Sequence, residues 1–577
     1  MKQTQWYKDG VFYQIWPRSF KDGNGDGMGD LYGVIEKLDY IKSLNVDGIW
    51  FSPLYPSPGA YCGDDLSDYF DIAPEFGGME AFRTLLSEAH ARGLRVIMDL
   101  VVNHTSDEHE WFQKSRQRID PYTDYYIWRP KKPNGKLPNN WDSMFEGGTA
   151  WQWDDVRQEY YLHLFAIKQP DLNMDNPLVR EEVKKILRFW LDLGVDGFRE
   201  DVITFISKPE GLPDDLKIPG STGILKYNHG PRIHEYLQEF RREVLNHYDC
   251  VTIAEAPLVS PKKAMEYISE LSPEHHDIDM MIQFQCMCAD CLFTDYVPLK
   301  FSLRRLKRAF RRWQALHGKA WNMLYVENHD HPRVISRYGS ETLRVESGKA
   351  IAVSYLFQQG TPFIYQGQEL GMVNWYPEKM SMYEDVQTLN HRLNAPEEKR
   401  LKLCHRASRD SARTPVQWTA GPNAGFTPGE PWFYVNENYT EINAEAEEKD
   451  PGSLLHFYRE AVALRKRLPV VRYGQYKEYR KRSKDLYVYE RYLDAKDAAC
   501  AAEDGVNADP SERLLVVCSF SSAPQRFKAP KDFGLKEAEL ILKTYPDEET
   551  ERAGADGSFT LKPYEARVYR IASGCGH

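Results

Sequence analysis

Short runs of apolar, strand-forming residues recur along most of this chain, with amphipathic helical stretches between them. That alternation constrains the fold more than any other feature of the sequence. The runs are Val11–Ile15, Gly48–Phe51, Leu94–Val102, Gly197–Phe198, Val251–Ala254, Met323–Val326 and Thr361–Tyr365. Unbroken apolar runs, rather than alternating ones, are what strands covered on both faces require, as in a parallel sheet flanked by helices. Val46-Asp47-Gly48 and Val195-Asp196-Gly197 both sit between a helix and a strand, as if one βα unit were used twice. The helices Glu181–Leu193 and Leu454–Leu468 carry apolar residues at spacings of three and four. Seven or eight such units fit one closed (β/α)8 barrel better than an open sheet, which the alternation alone does not exclude.

Two regions break the rhythm. Thr105 to about Met174 is long, rich in Pro and Trp, and follows the third unit, where a loop of that length shapes a site. From about Arg472 the helices are expected to stop. Leu486–Tyr492, Arg513–Phe520 and Ala566–Ile571 read as strands of a separate antiparallel domain, with Ala495–Ser511 as a loop within it.

Composition narrows the function classes. The chain has 577 residues, 42% hydrophobic and 28% charged, with a formal net charge of −11. An acidic balance of that size favours neither nucleic acid nor an anionic lipid surface. No run of about 18 apolar residues offers a membrane span, and Met1–Gly10 lacks an apolar signal-peptide core. Nine cysteines with no disulfide-like spacing point to a reducing, cytoplasmic setting. The 14 Trp, 35 Tyr and 26 Phe hint at carbohydrate, because aromatic faces stack on the C–H faces of sugars as well as packing in cores.

In a parallel barrel, catalytic groups lie at the carboxyl ends of the strands. Four of the expected strands end in such groups: Asn103-His104, Arg199-Glu200-Asp201, Glu255, and Glu327-Asn328-His329-Asp330. Exposed polar residues opening a loop would explain one of these ends, but poorly explain all four. Converging carboxylates without metal-ligand Cys/His spacing suit glycoside hydrolysis. There one carboxylate attacks the anomeric carbon and a second, kept protonated, protonates the leaving oxygen. Arg199 would hold a neighbouring nucleophile ionised by opposite-charge attraction.

The sequence resembles glycoside hydrolase family 13, and within it the oligo-1,6-glucosidase group, from about Trp6 through Tyr569. The motifs are Asp99-Leu100-Val101-Val102-Asn103-His104, Gly197-Phe198-Arg199-Glu200-Asp201-Val202, Glu255 after a strand, and Asn328-His329-Asp330. Gln169-Pro170-Asp171-Leu172-Asn173 and the stretch Ser408-Arg409-Asp410 through Arg413-Thr414-Pro415 to Trp418 are similar to signatures of that group. The resemblance implies a retaining, exo-acting α-glucosidase working on terminal glucose-like units of short oligosaccharides. Asp201 would be the nucleophile, Glu255 the general acid/base and Asp330 the stabiliser of the distorted sugar. Arg199, His104 and His329 would hold the −1 sugar, with Tyr13 and Phe165 as pocket aromatics, and Asp65 and Arg413 are further substrate-binding candidates. Val202, directly after the nucleophile, accompanies α-1,6 cleavage in similar enzymes. The family's fold implies a barrel over 1–104 and 174–471, an inserted domain over 105–173 and a C-terminal β-sandwich over 472–577. A glucosyl-transferring relative such as a sucrose isomerase, a trehalose-6-phosphate hydrolase and a glycosidase of altered glycone specificity are the alternatives; oligomeric state is not legible.

Asp22-Gly23-Asn24-Gly25-Asp26-Gly27-Met28-Gly29-Asp30 has the oxygen-ligand spacing of an EF-hand calcium loop, with Gly at the sixth position. Gly33 stands where the terminal Glu would be, so this is not an EF-hand. Similar loops in the family bind calcium, sometimes magnesium, so Asp22, Asn24, Asp26, Met28 and Asp30 are the candidate ligands. Cys286, Cys288 and Cys291 lack an evident fourth ligand and read as packing residues. The chain departs from the family in the loop Tyr61-Cys62-Gly63-Asp64-Asp65: Tyr61 falls where a gripping Asp belongs and Asp64 where a stacking Tyr belongs. Glu200 replaces an apolar residue beside the nucleophile, and His331 replaces the usual Gln after Asp330. The exchange of Tyr61 and Asp64 implies altered reading of the terminal sugar.

Overall fold

The computed structural model describes residues 5–59, 63, 65–145, 148–218, 220–390, 395–546 and 549–572. Tyr61 and Asp64 lie outside them. Eight parallel strands form the central sheet: β1 Phe12–Ile15, β2 Gly48–Phe51, β3 Arg95–Leu100, β4 Gly197–Glu200, β5 Val251–Glu255, β6 Met280–Ile282, β7 Met323–Leu324 and β8 Thr361–Tyr365. Their spatial order is β7-β8-β1-β2-β3-β4-β5-β6. A parallel bridge between Met281 and Asn322 joins the two ends and closes the barrel. Seven strands fall on the runs read from the sequence. The eighth, β6, escaped that reading because three residues behind Asp277-Ile278-Asp279 make no run.

Two of the strand-opening glycines are steric requirements. A Cβ on Gly197 would stand 2.2 Å from the Val251 carbonyl oxygen, and one on Gly48 would stand 2.6 Å from the Phe12 ring. Any side chain there would push apart strands that must pair closely enough to hydrogen-bond. The helix Pro177–Leu193 delivers the chain to β4. Asn176 caps it by accepting from the Leu178 amide, and Gly194 ends it in the left-handed region.

Between β3 and β4 the chain forms a helix, Glu110–Arg116, and a three-stranded sheet in which Glu159–Leu162 pairs with both Trp128–Arg129 and Trp151–Asp154. A buried ion pair ties this insertion to the barrel. Lys208 Nζ lies 2.6 Å from an Asp171 carboxylate oxygen and donates to Asn103 Oδ1 at 2.8 Å.

Beyond the barrel lies a five-stranded antiparallel sheet in the order Gln475–Tyr479, Leu486–Tyr492, Arg513–Ser519, Ala566–Ile571, Glu539–Lys543. Its faces obey the two-residue period of a strand. Val488, Leu515 and Val517 pack with Phe527 and Phe559 of a second, two-stranded ladder, whereas Tyr487, Tyr489, Leu514 and Val516 join the barrel's core. Lys307 Nζ, fully buried at this junction, donates to the carbonyls of Arg480, Ser483 and Leu486 at 2.9, 3.1 and 3.0 Å. The segment read as a loop contains a helix, Ala495–Glu503, and a short helix, Pro469–Tyr473, runs across the expected boundary. The Ala-rich helix starts on a capping box in which Asp494 and Asp497 satisfy each other's backbone amides, a local signal that outweighed the polar composition.

Candidate active site

The register of the barrel assembles the pocket. In the β3–β4 ladder Asp99 pairs with Arg199, and in the β4–β5 ladder Arg199 pairs with Ile253 and Glu200 with Ala254. One step further along both chains, Asp201 comes level with Glu255. Side chains alternate along a strand, so Asp99, Arg199, Asp201 and Glu255 share the inner face while Glu200 faces out.

Arg199 is the hub. One guanidinium nitrogen donates to Asp99 at 2.8 Å and to Asp201 at 2.7 Å, and the other reaches Glu255 at 2.7 Å. Glu255 also accepts the Val202 amide at 3.1 Å. Val202 achieves this at a φ of 33°, a left-handed conformation that a β-branched side chain rarely adopts. Such strain, on the order of 1–3 kcal/mol, persists only where surrounding contacts over-determine it. Its side chain lies in an apolar cluster with Phe165 and Phe205.

Two carboxylates of this pocket are held in opposite states. Burial pushes Glu255 up to about 8; Arg199 opposes the rise, while Asp201 and Asp330 add to it. Burial would also raise Asp330, but His329, Arg409 and Arg413 outweigh it and hold the carboxyl well below the usual range. Arg409 donates to Asp330 at 3.0 Å, and Arg413 approaches it at 3.5 Å. Burial pushes His329 down to about 3, so the ring is neutral at ordinary pH. Its Nδ1 accepts from the Gln14 amide at 2.7 Å, and its Nε2 lies 3.2 Å from an Asp330 carboxylate oxygen.

The remaining sequence-derived candidates divide. His104 sits at the end of β3 with the Gln169 amide 3.2 Å away and the Phe165 ring at 5.1 Å. Asp65 is buried and accepts from the Ser57 hydroxyl at 2.7 Å. Tyr13 does not line the pocket. It points from β1 to the outside of the barrel, where its hydroxyl donates to Glu369 at 2.7 Å beside Tyr40 at 2.8 Å. Strand alternation gives the inner position to Gln14 instead. Gln14, Trp50 and Arg409 are the residues that motif reading missed. The Trp50 ring lies 5.6 Å from the Arg199 guanidinium and 5.9 Å from the His329 ring. For Gln14 the two-residue period of β1 was the available signal; Arg409 stood in the signature Ser408-Arg409-Asp410 without a role, because only the folded loop brings it to Asp330 from far along the chain.

The loop Asp22–Asp30 lies apart from this pocket. Asp22 Oδ1 and Asp30 Oδ2 both accept the Asn24 amide at 3.0 Å, so two carboxylates face each other across the loop. Burial raises Asp30, and the charge of Asp22 adds to the rise. Gly25 and Gly27, at φ of 88° and 97°, turn the loop, and Asn24 and Asp26 stand on its open side. An all-oxygen donor set around opposed carboxylates fits a hard divalent cation. The three cysteines fall in another place. Cys286 is buried, its thiol near the Tyr325 carbonyl at 3.6 Å, whereas ligand atoms of Asp290, Cys291 and Asp295 gather within 4.8 Å of one another.

Comparison with known proteins places this geometry. A family described as the alpha amylase catalytic domain matches residues 14–474. The oligo-1,6-glucosidase of Parageobacillus thermoglucosidasius is 46% identical over 580 residues, covering 98% of this chain and 99% of that protein. The crystal structure of Bacillus licheniformis trehalose-6-phosphate hydrolase superposes with a TM-score of 0.90 at 41% identity, covering 98% of this chain and 100% of that one. The trehalulose synthase of Pseudomonas mesoacidophila MX-45 gives 0.89 at 39% identity, covering 98% and 99%.

Proposed function

The chain belongs to the α-amylase family of glycoside hydrolases, and from that premise we propose that it is a retaining, exo-acting α-glucosidase. It releases terminal glucose-like units from short α-linked oligosaccharides, α-1,6-linked ones in preference. One observation carries the assignment: a single buried arginine, Arg199, is ion-paired at 2.7 Å to both Asp201 and Glu255, two carboxylates in very different surroundings. Asp201, the more exposed of the two, is the nucleophile. Glu255, protonated up to about pH 8, is the general acid.

In the first step an Asp201 carboxylate oxygen bonds to the anomeric carbon as the bond to the leaving oxygen breaks, and that oxygen takes the Glu255 proton. In the second, the Glu255 carboxylate removes a proton from water as the water oxygen displaces Asp201, which restores both groups and retains the configuration. Asp330, kept ionised by Arg409, Arg413 and His329, supplies fixed negative charge opposite the oxocarbenium-like transition state. Arg199 sets its positive charge against both Asp201 and Glu255 at 2.7 Å. His104, Phe165, Asp65 and Val202 are assigned to the walls around the −1 and +1 sugars.

We assign calcium, with magnesium as the weaker competitor, to Asp22, Asn24, Asp26, the Met28 carbonyl and Asp30, as a structural ion outside the chemistry. Among the described residues no helix is long and apolar enough to cross a membrane. The seven described cysteines are free thiols, which suits a cytoplasmic setting.

The test is glucose release from isomaltose, maltose, sucrose, trehalose, trehalose 6-phosphate, kojibiose and nigerose, with product analysis for transferred glucose. Highest kcat/KM on isomaltose supports the reading. A several-fold preference for maltose overturns the linkage, and dominant isomerisation of sucrose or exclusive cleavage of trehalose 6-phosphate replaces the function. Weak activity on all of these with good activity on a glycone altered near its 3-, 4- or 6-position would assign the exchange of Tyr61 and Asp64 to sugar recognition.

A further inference from the structure

Next to the pocket, the turn after β6 carries Cys288-Ala289-Asp290-Cys291, a pair of cysteines with two residues between them. Both stand on one turn, where Cys291 donates to the Met287 carbonyl at 3.8 Å and its sulfur lies within 4.8 Å of ligand oxygens of Asp290 and Asp295. Cys288 is partly exposed, whereas Cys291 is buried. Asp295 is joined to the catalytic wall: its Oδ2 accepts from His331 Nδ1 at 2.6 Å, and His331 directly follows Asp330. Arg337 donates to Asp295 at 2.7 Å and to Asp290 at 2.7 and 3.2 Å.

A metal is the first alternative, since Asp290, Cys291 and Asp295 cluster. Arg337, however, is already in place as a buried cation ion-paired to both carboxylates. A divalent ion would have to sit against the guanidinium or expel it, leaving a buried charge unpaired. The same cation helps the thiols to ionise instead. The hydrogen bond from Cys291 draws Cys288 below the usual thiol range, with His331 and Arg337 adding to the effect against burial. Cys291, donating rather than accepting, is raised. One accessible, acidified thiol beside one buried partner thiol is the arrangement of an attacking and a resolving cysteine.

We propose that Cys288 and Cys291 form an oxidation site that closes to a disulfide with hydroperoxides, and that closure lowers turnover through Asp295 and His331. The Cys288 thiolate attacks a peroxide oxygen: the S–O bond forms, the O–O bond breaks, and hydroxide leaves to become water with a proton from the medium. The Cys291 sulfur then attacks Cys288, forming S–S and breaking S–O, and the departing hydroxide leaves as water with the Cys291 proton. Two hydrogens are lost from the protein and hydrogen peroxide is reduced to two waters. Closure draws the Cys291 sulfur toward Cys288 and away from the Asp295 carboxylate, which holds His331 beside Asp330.

The experiment treats the full-length enzyme with hydrogen peroxide, maps disulfides by peptide mass spectrometry, and follows activity on a disaccharide that it cleaves before and after dithiothreitol. The expected result is a Cys288–Cys291 linkage and a two- to tenfold fall in kcat that dithiothreitol reverses, with Cys286→Ser retaining both. Cys288→Ser should lose the linkage and the reversible fall. A turn that stays reduced, a linkage through Cys286, or zinc retained by the wild type and lost in Cys291→Ser would overturn the site. Disulfide closure with unchanged kcat would overturn the coupling to the pocket. The mass readout does not depend on which sugar is cleaved, so failure of this proposal and failure of the glucosidase reading are distinguishable.

Discussion

Glu255 and Asp330 are carboxylates of one pocket, yet one is held protonated and the other ionised. Glu255 has one arginine, which it shares with Asp99 and Asp201. Asp330 has Arg409 and Arg413 close by and the His329 ring 3.2 Å away. Burial alone would raise both, so the difference lies in how many positive groups serve each carboxylate. A third acid, Glu200, shows what burial does away from the chemistry. It too is pushed up to about 8, with Asp277 and Asp279 adding to the burial effect and Arg241 opposing it, on the outside of the barrel. A raised acid therefore marks a catalytic group only when a nucleophile faces it.

The strongest challenge to this contrast is Asp201→Asn. With no nucleophile, kcat should fall by at least about 10⁴-fold, and azide should rescue Glu255→Ala on substrates with good leaving groups. Near-normal turnover in Asp201→Asn would remove the Arg199 side of the pocket from catalysis.

Asp330→Asn tests whether the two sides communicate. We expect kcat to fall about 10³-fold and the basic limb of the pH profile to shift. The general acid must be protonated, so wild-type kcat/KM should be full below about pH 8 and lost as pH rises through it. Asp330 is one of the charges raising Glu255, so its removal should move that limb to lower pH. An unmoved limb would mean that the two carboxylates titrate independently.

Glu200→Gln separates burial from catalysis. Turnover should stay within about twofold, because Glu200 faces away from the pocket. Stability should change instead. The folded pKa of about 8 lies above the unfolded value, so the favourable contribution is complete below the unfolded pKa and is lost as pH rises through the folded one. Gln cannot ionise, so the variant should gain on wild type between pH 5 and pH 9 by roughly 1–3 kcal/mol. Denaturant melts at the two pH values would read this, and a constant difference would contradict it.

The smallest effect concerns the loop far from both acids. Chelation should lower Tm by about 2–6 °C, reversed by calcium more strongly than by magnesium, with the pH limb unchanged. Unchanged melting after chelation would leave Asp22–Asp30 as a metal-free turn.

The parts of this picture legible in the sequence are those governed by short-range rules. Apolar runs marked seven of eight strands, and strand ends identified where Asp201, Glu255 and Asp330 would gather. β6 was missed because three residues carry too little pattern, and the helix Ala495–Glu503 because its acidic, polar composition masked a capping box. Motif matching put Tyr13 in the pocket; the pleat of β1 put Gln14 there instead.

What the sequence determined by itself was therefore the barrel, the family and the set of acids at the strand ends, because periodicity, steric need for glycine and covalent neighbourhood act within a few residues. Only the tertiary structure decided which acid holds a proton. Arg199 reaches both Asp201 and Glu255 through the pairing of β4 with β5, and Arg409 reaches Asp330 from 79 residues further along the chain. Charge–charge interaction depends on distance and on exclusion of water, and neither quantity exists until the barrel has closed.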